Sequence, residues 1–373
     1  MDQKSKLSTG KKIAFTIIAV VLFFVVLDRG LKVYEKAADR AKHTKEDKVV
    51  SSMLSPKQLA EYKQATDLVL TPYLAFRMPP GFHSDTININ SRGFRGKEFS
   101  AEKAPGTYRI IIVGGSGAMG YGSSSDDTAF SQVLENMLND ASKNMKFEVI
   151  NAGLASAISA QELVLLVTEL IDLKPDMVIV FDGFNDIVGS VINDRRPNYP
   201  WRFETVEKAL KVSPTKLFIN KRLNNFRLTK LIIKKMEEIK KKEALDNLSP
   251  NQAGLTAYIG NIKKMAMIMR GLSIEPVFIM QPNLYFKKDP SSDEKEILAS
   301  EPPALESIVK PMFLKAREEL ASLSKADNVA FFDFTGIFDG NPETIFFDSV
   351  HAGDRGQEII AREILKLIAG HIQ

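Results

Sequence analysis

The sequence predicts an α/β protein: a parallel sheet of five strands covered by helices on both faces, behind an N-terminal transmembrane helix. Three observations carry this. From residue 108 onward, short apolar runs alternate with longer amphipathic stretches, which is the rhythm of strand–helix–strand crossovers. Of the short runs, Tyr108 to Val113 reads as nearly continuously apolar, as in a strand buried on both faces, not as apolar at every second position. At the other end of the chain, Lys4, Lys6, Lys11 and Lys12 precede an unbroken apolar run from Ile13 to Leu27.

That first run, fifteen residues of helix, rises roughly 22 Å, short of the ~30 Å hydrocarbon core of a bilayer. Lys12 and Arg29 can snorkel and Gly30-Leu31 can lengthen the span, so residues 13–31 are expected to form a signal anchor. A cleaved signal peptide competes, but Asp28-Arg29-Gly30-Leu31-Lys32 follows the run instead of a small-residue cleavage pattern. A buried core helix is the third reading. The leading lysines place residues 1–12 in the cytoplasm and the body of the protein outside, periplasmic or extracellular.

Residues 32–71 read as a charged helical stalk or linker, with a helix over Pro56 to Leu70. Residues 72–105 are polar and broken by Pro72, Pro79, Pro80 and Gly81, with a short strand over Thr86–Asn90, and are expected to pack irregularly on the main domain. The main domain covers 106–373. Its strands are expected at Tyr108–Val113, Phe147–Asn151, Met177–Phe181, Pro276–Met280 and Val329–Phe332. Helices are expected near Asp127–Asn139 (capped by Asp126 or Asp127), Ser159–Leu173, Leu255–Gly271, Pro303–Lys325 and Gly353–Ala369. Residues 187–254 interrupt the rhythm as an insertion. A basic amphipathic helix over 221–242 within it reads as a solvated lid, with a membrane-surface contact or a partner-binding helix as alternatives.

Composition narrows the chemistry. The chain has 373 residues, a net charge of +4, no cysteine and only four histidines, His43, His83, His351 and His371. Disulfides, thiolate metal sites and cysteine nucleophiles are therefore excluded. The charge is modest and no nucleic-acid motif is present, so nucleic acid is not an expected partner.

In parallel sheets, ligands sit beyond the carboxyl ends of strands, and three short islands fall there. Gly114-Gly115-Ser116-Gly117 follows the first strand and exposes a hydroxyl on a sharp turn. Gly115-x-Gly117-x-x-Gly120 also matches a dinucleotide spacing, but the second strand ends in Asn151-Ala152-Gly153, without the acidic residue such a site needs. Asp348-Ser349-Val350-His351 offers a base, oriented by the carboxylate or by a backbone carbonyl. Too few histidines and clustered carboxylates surround it for a metal site, so neither metal nor cofactor is expected. Gly183-Phe184-Asn185-Asp186 follows the third strand; Asn185 brings an amide donor and Gly183 lets the loop approach substrate. The N–H groups of Ser116 and Gly153 with the Asn185 amide make three candidate donors for an oxyanion. Gln281, ending the fourth strand, is a candidate pocket residue or a structural amide.

On these blocks the chain resembles the SGNH-hydrolase superfamily, the GDSL-like esterases and lipases, membrane-anchored bacterial members included, with which it shares a Gly-Phe-Arg-Gly run before the first strand. The family's Ser, Gly, Asn and His correspond to Ser116, Gly153, Asn185 and His351. The match covers about residues 106–373 outside the insertion, and the family's Gly-Asp-Ser reads Gly114-Gly115-Ser116 here. The resemblance implies a flavodoxin-like three-layer fold with strand order 2-1-3-4-5 and a metal-free Ser116-His351-Asp348 triad. It implies a serine ester hydrolase acting on an O-acylated envelope carbohydrate or lipid. The alternatives are an O-acyltransferase of a cell-envelope polysaccharide and a catalytically silent binding or assembly protein.

Overall fold

Strand β3 (Thr107–Gly114) is the centre from which the sheet is built. It pairs in parallel with β4 (Lys146–Asn151) on one side and β5 (Met177–Asp182) on the other. β6 (Glu275–Met280) and β7 (Ala330–Asp333) continue outward from β5, also in parallel, giving the order β4-β3-β5-β6-β7. Taken in chain order these five strands run 2-1-3-4-5, as expected. The computed structural model describes residues 9–41, 49, 52–192, 195–201, 203, 206–207, 235–236, 245, 248–327 and 329–369. The chain divides into two units, Met1–Thr44 with Lys208–Asp246, and Lys45–Glu207 with Asn247–Gln373. The sheet lies in the second.

Alternation along each strand sorts the core into two layers. Ile111, Val113, Val178, Val180, Phe278 and Met280 face α5 (Ser159–Leu165), α6 (Phe184–Ile192), α7 (Gln252–Gly271) and α9 (Pro303–Asp327). Ile110, Ile112, Ile179, Phe181, Val277 and Ile279 face α4 (Phe130–Ala141) and α10 (Asp354–Ile368). α8 (Ser292–Ser300) is closed by a Ser291–Glu294 capping box. Edge strand β4 is blunted by side chains of α4: Glu135 accepts the Val149 N–H at 2.8 Å, and Asn139 both accepts from and donates to Phe147 at 2.9 Å. Polar groups spent this way are not open to a further strand.

Several expectations need correction. The cap of α4 is Ala129, not Asp126 or Asp127, because Asp126 is taken by Arg95 Nε and by the Asn88 N–H. The stretch Ser159–Leu173 is α-helical only to Leu165, then passes through a π turn (Leu166–Leu170) and a 3₁₀ turn (Ile171–Leu173). The helix expected over Pro56–Leu70 ends at Ala65 as α2 (Pro56–Ala65), and Val69–Thr71 and Ala75–Arg77 form the antiparallel pair β1–β2. No strand forms over Thr86–Asn90; isolated bridges join Ile89 to Phe82 and to Arg95. α6 runs from Phe184 to Ile192, across the expected start of the insertion at Ile187. The basic helix over 221–242 lies outside the described residues, apart from residues 235–236.

α1 (Thr9–Ala41) is one helix of 33 residues, and Phe15, Leu22, Phe23, Phe24, Val25 and Val26 are exposed on it. Among the described residues no helix is long and apolar enough to cross a membrane, so the expected span at 13–31 is not shown. The uninterrupted apolar part of α1 is short for a bilayer core by the rise-per-residue argument.

Candidate active site

The carboxyl ends of β3, β4, β5 and β6 present the site. β3 ends at Gly114, whose φ of +155° and contact with the Phe181 carbonyl and Ala118 exclude a side chain. The chain then turns into α3 (Ser116–Met119), with Ser116 as its first residue. The Ser116 N–H therefore has no intrahelical partner, and it meets no acceptor among the described residues. Its Oγ lies 2.7 Å from His351 Nε2, and His351 Nδ1 lies 2.5 Å from Asp348 Oδ2. A carboxylate can only accept, so Nδ1 carries the imidazole proton and Nε2 is left to accept from the serine hydroxyl.

The His351 loop is held on both flanks. Phe346 bridges Ala352, Phe347 N–H donates to the His351 carbonyl at 3.1 Å, and Gly353 N–H donates to the Ile345 carbonyl at 3.0 Å. Beneath it, Glu294 Oε1 accepts the N–H groups of Ile345 and Phe346 at 2.9 and 3.0 Å, and Glu294 Oε2 accepts from the buried Lys287 Nζ at 2.6 Å. Asp348 Oδ1 accepts the N–H groups of Val350 and His351 at 2.8 and 2.7 Å. Burial opposes the charged form of Asp348, but the charge and hydrogen bonds of His351, with these backbone donors, outweigh it and hold the carboxyl below its ordinary value. Tyr121 and Phe347 pack on the imidazole, with ring centroids 4.7 and 5.8 Å away.

Asn185 lies against Gly115, the residue before Ser116. One N–H of its amide donates to the Ala157 carbonyl at 2.7 Å, leaving a second N–H. Its backbone carbonyl accepts from Trp201 Nε1 at 3.1 Å, and Trp201 packs against Gly189 of α6. A Cβ at Gly115 would overlap the Asn185 amide nitrogen. Gly115 thus leaves room for the Asn185 amide to approach α3. Gly153 packs so closely on Ala118 and Met119 that a Cβ would overlap their backbone. Its N–H, however, already donates to Asn151 Oδ1 at 3.0 Å. Of the three expected donors, Ser116 N–H and the second Asn185 N–H are uncommitted, and Gly153 would have to share its bond. Gly183 (φ +109°) shapes the turn into α6 and packs near the Tyr258 hydroxyl. The Gln281 amide lies against α3, its Nε2 2.9 Å from where a Gly117 Cβ would stand.

Behind Asn185 lies a buried acidic group that sequence reasoning missed. Ser159 donates its hydroxyl to Asp186 Oδ1 at 2.6 Å and its N–H to Oδ2 at 2.9 Å, and Tyr258 donates to Asp182 Oδ1 at 2.8 Å. Both Glu162 carboxyl oxygens and Asp182 Oδ2 are buried without a donor among the described residues. Burial, then the nearby charges of Asp182 and Asp186, push Glu162 well up; burial raises Asp182 to about 6 and Asp186 to about 7. Each of these shifts favours the protonated form of a carboxyl that burial keeps from water. Asp186 ties Ser159, and with it the Ala157 carbonyl that receives Asn185, to α6. Among the described residues no group of three or more histidines and carboxylates could hold a metal ion.

No family model matches the chain, and no curated protein matches it. Solved structures do. A protein assigned to the G-D-S-L lipolytic family, from Desulfitobacterium hafniense DCB-2, is 14% identical over 69% of this chain and 98% of its own, with a TM-score of 0.41. The acetylxylan esterase Axe2 of Geobacillus stearothermophilus is 14% identical over 70% of this chain and 94% of its own, with a TM-score of 0.43. The acetyl xylan esterase AlAXEase is 11% identical over 70% of this chain and 99% of its own, with a TM-score of 0.41. These are likenesses of fold.

Proposed function

We propose that the chain is a serine ester hydrolase of the SGNH type, acting on an O-acylated carbohydrate or lipid of the cell envelope. The observation that carries this reading is the continuous hydrogen-bonded series from Ser116 Oγ through His351 to Asp348. In the proposed cycle His351 Nε2 takes the Ser116 proton as Oγ attacks the ester carbonyl. The Ser116 N–H and the free Asn185 N–H stabilise the oxyanion, joined by Gly153 N–H when it shares its bond with Asn151. His351 returns the proton to the departing alcohol, which leaves Ser116 acylated. Water, deprotonated by the same imidazole, then releases the acid. Gln281 supports a substrate contact because its amide lies beside the turn that bears the nucleophile.

The test is incubation of the full chain with 4-nitrophenyl acetate and a mono-O-acetylated sugar, with an unacylated sugar as competing acceptor. Release of free acetate in a fluorophosphonate-sensitive reaction is expected. Acetyl appearing on the acceptor in preference to water would make the chain a transferase, and folded protein inert to both esters and to the probe would make it a silent binder.

We also propose that α1 anchors the protein to a membrane, with residues 1–12 cytoplasmic and the sheet-bearing unit periplasmic or extracellular. Its support is the exposure of Phe15, Ile18, Leu22, Phe23, Phe24, Val25 and Val26 in the apolar run that follows Lys11 and Lys12. The protein is expected in the membrane pellet after alkaline carbonate washing of expressing bacteria. Full release to the supernatant would reject the anchor.

A further inference from the structure

We propose that the segment before the sheet belongs to the catalytic apparatus, with Arg95 and Tyr62 as positioning residues for Ser116 and His351. This rests on the serine-hydrolase reading of the site.

α3 is only four residues long. A single turn has almost no stability of its own, and its last carbonyls need partners from elsewhere. Asn151 Nδ2 donates to the carbonyls of Ala118 and Met119 at 3.1 and 3.3 Å. The rest comes from the preceding segment. Arg95 Nη1 donates to the carbonyls of Met119 at 3.1 Å and Gly120 at 2.8 Å, while Nη2 donates to the Ser125 carbonyl at 3.0 Å. Nε pairs with Asp126 Oδ1 at 2.8 Å, and the Arg95 side chain is only 1% exposed. Gly120, in the left-handed conformation at φ 78°, leaves room for this approach: a Cβ there would stand 3.3 Å from Arg95 Nη1.

A guanidinium removed from water is tolerated only when its charge and donors are satisfied, and an apolar side chain would fill the same space at less cost. What arginine adds is a rigid planar fork that fixes several carbonyls relative to one another. Its positive charge also meets the carbonyl end of α3, the favourable sign for a helix terminus. Met119 is one helical turn from Ser116, so displacement of the carbonyls at 119 and 120 displaces the nucleophile.

The same contacts reach the base. Tyr62 of α2 accepts from Arg95 Nη1 at 3.1 Å and donates to the Ser123 carbonyl at 2.7 Å. Its ring lies 4.6 Å from that of Tyr121, and Tyr121 lies 4.7 Å from the His351 imidazole. Arg95 thus holds the backbone on which Ser116 rides, and Tyr62 backs the ring that rests on His351. Neither residue touches the reacting atoms.

The test uses the full chain, a fluorophosphonate probe and active-site titration to count competent molecules. Arg95→Lys is expected to lower both kcat per titrated site and the rate of fluorophosphonate labelling by about 10²-fold, the scale of a misplacement near 1 Å. KM for 4-nitrophenyl acetate should stay nearly unchanged. Tyr62→Phe, which keeps the ring and loses only the hydroxyl, should show the same split at smaller amplitude. Millimolar guanidinium should restore part of the rate to Arg95→Ala without raising its melting temperature. Variants that melt early yet react at the wild-type rate per titrated site would make Arg95 and Tyr62 merely structural and overturn the inference. A folded wild-type chain left unlabelled would remove the serine-hydrolase reading and this inference together; labelled wild type with equally reactive variants removes this inference alone.

Discussion

Ser116→Ala is expected to fold and to hydrolyse no ester at a useful rate, with kcat/KM down by roughly 10⁴–10⁶-fold, the range seen when the nucleophile of a serine triad is removed. Both parts follow from the position of one oxygen. The only hydrogen bond of the hydroxyl among the described residues runs to His351 Nε2 at 2.7 Å, and the turn before it is shaped by Gly114 and Gly115, not by the serine side chain. Losing that bond costs about 1 kcal/mol at most, or a melting-point change of about 2–4 °C for a domain of this size. The Ser116 N–H and the Asn185 amide remain, so residual rate above water is expected from oxyanion stabilisation alone. Calorimetry together with 4-nitrophenyl acetate turnover checks it. A folded variant that keeps even a tenth of wild-type kcat/KM would show that another group is the nucleophile.

The parts of this molecule that were legible in sequence are those whose cause is local. The strand runs of the main domain are mostly apolar because both faces are covered, and each of the five strands expected there lies within two residues of the observed one. Ser116, Asn185, Asp348 and His351 stand on short motifs just beyond strands or before a helix, and the structure brings all four around one turn. What stayed hidden depends on partners distant in sequence. Asp126 has the composition of a helix cap, yet Arg95, 31 residues earlier, uses its carboxylate. Residues 159–173 have one apolar periodicity, and nothing in it announces the π turn at Leu166. Gly-Phe-Asn-Asp has the composition of a loop, but Phe184 opens α6 because Ile187 and Val188 bury against the sheet. Tyr62, Tyr121 and Trp201 look unremarkable in sequence, and Arg95 stands out only within its Gly-Phe-Arg-Gly run; their places come from contacts such as that of Tyr121 with His351. Gly115 is the instructive intermediate. Its place before Ser116 is plain in the sequence, but the nearness of the Asn185 amide, which leaves no space for a Cβ there, is a distance between two loops.

Asp348→Asn is expected to be nearly as damaging as loss of the nucleophile, at about 10³–10⁴-fold in kcat, although it changes one atom and little of the fold. Asp348 Oδ1 is committed to two backbone donors, the N–H groups of Val350 and His351. An asparagine must keep its carbonyl there, since turning it would aim an NH₂ at two N–H groups. Its NH₂ then faces His351 Nδ1, which becomes the acceptor, and the imidazole proton moves to Nε2. That nitrogen can then only donate toward Ser116 and cannot take its proton. The pH dependence of stability should change as well. The folded-state value of Asp348 is depressed, so the wild type carries a stabilising increment above the ordinary carboxylate range, about pH 3.9, and loses it as pH falls through the folded value. The asparagine variant has no such group to protonate, so its melting temperature should fall less between pH 5 and pH 3. Turnover of 4-nitrophenyl acetate at pH 6–9 and melting curves at pH 3–7 check both effects. A variant within tenfold of wild-type kcat would mean that something other than Asp348 sets the imidazole tautomer, and the Ser116–His351 contact would then lack the orienting partner on which general-base catalysis here depends.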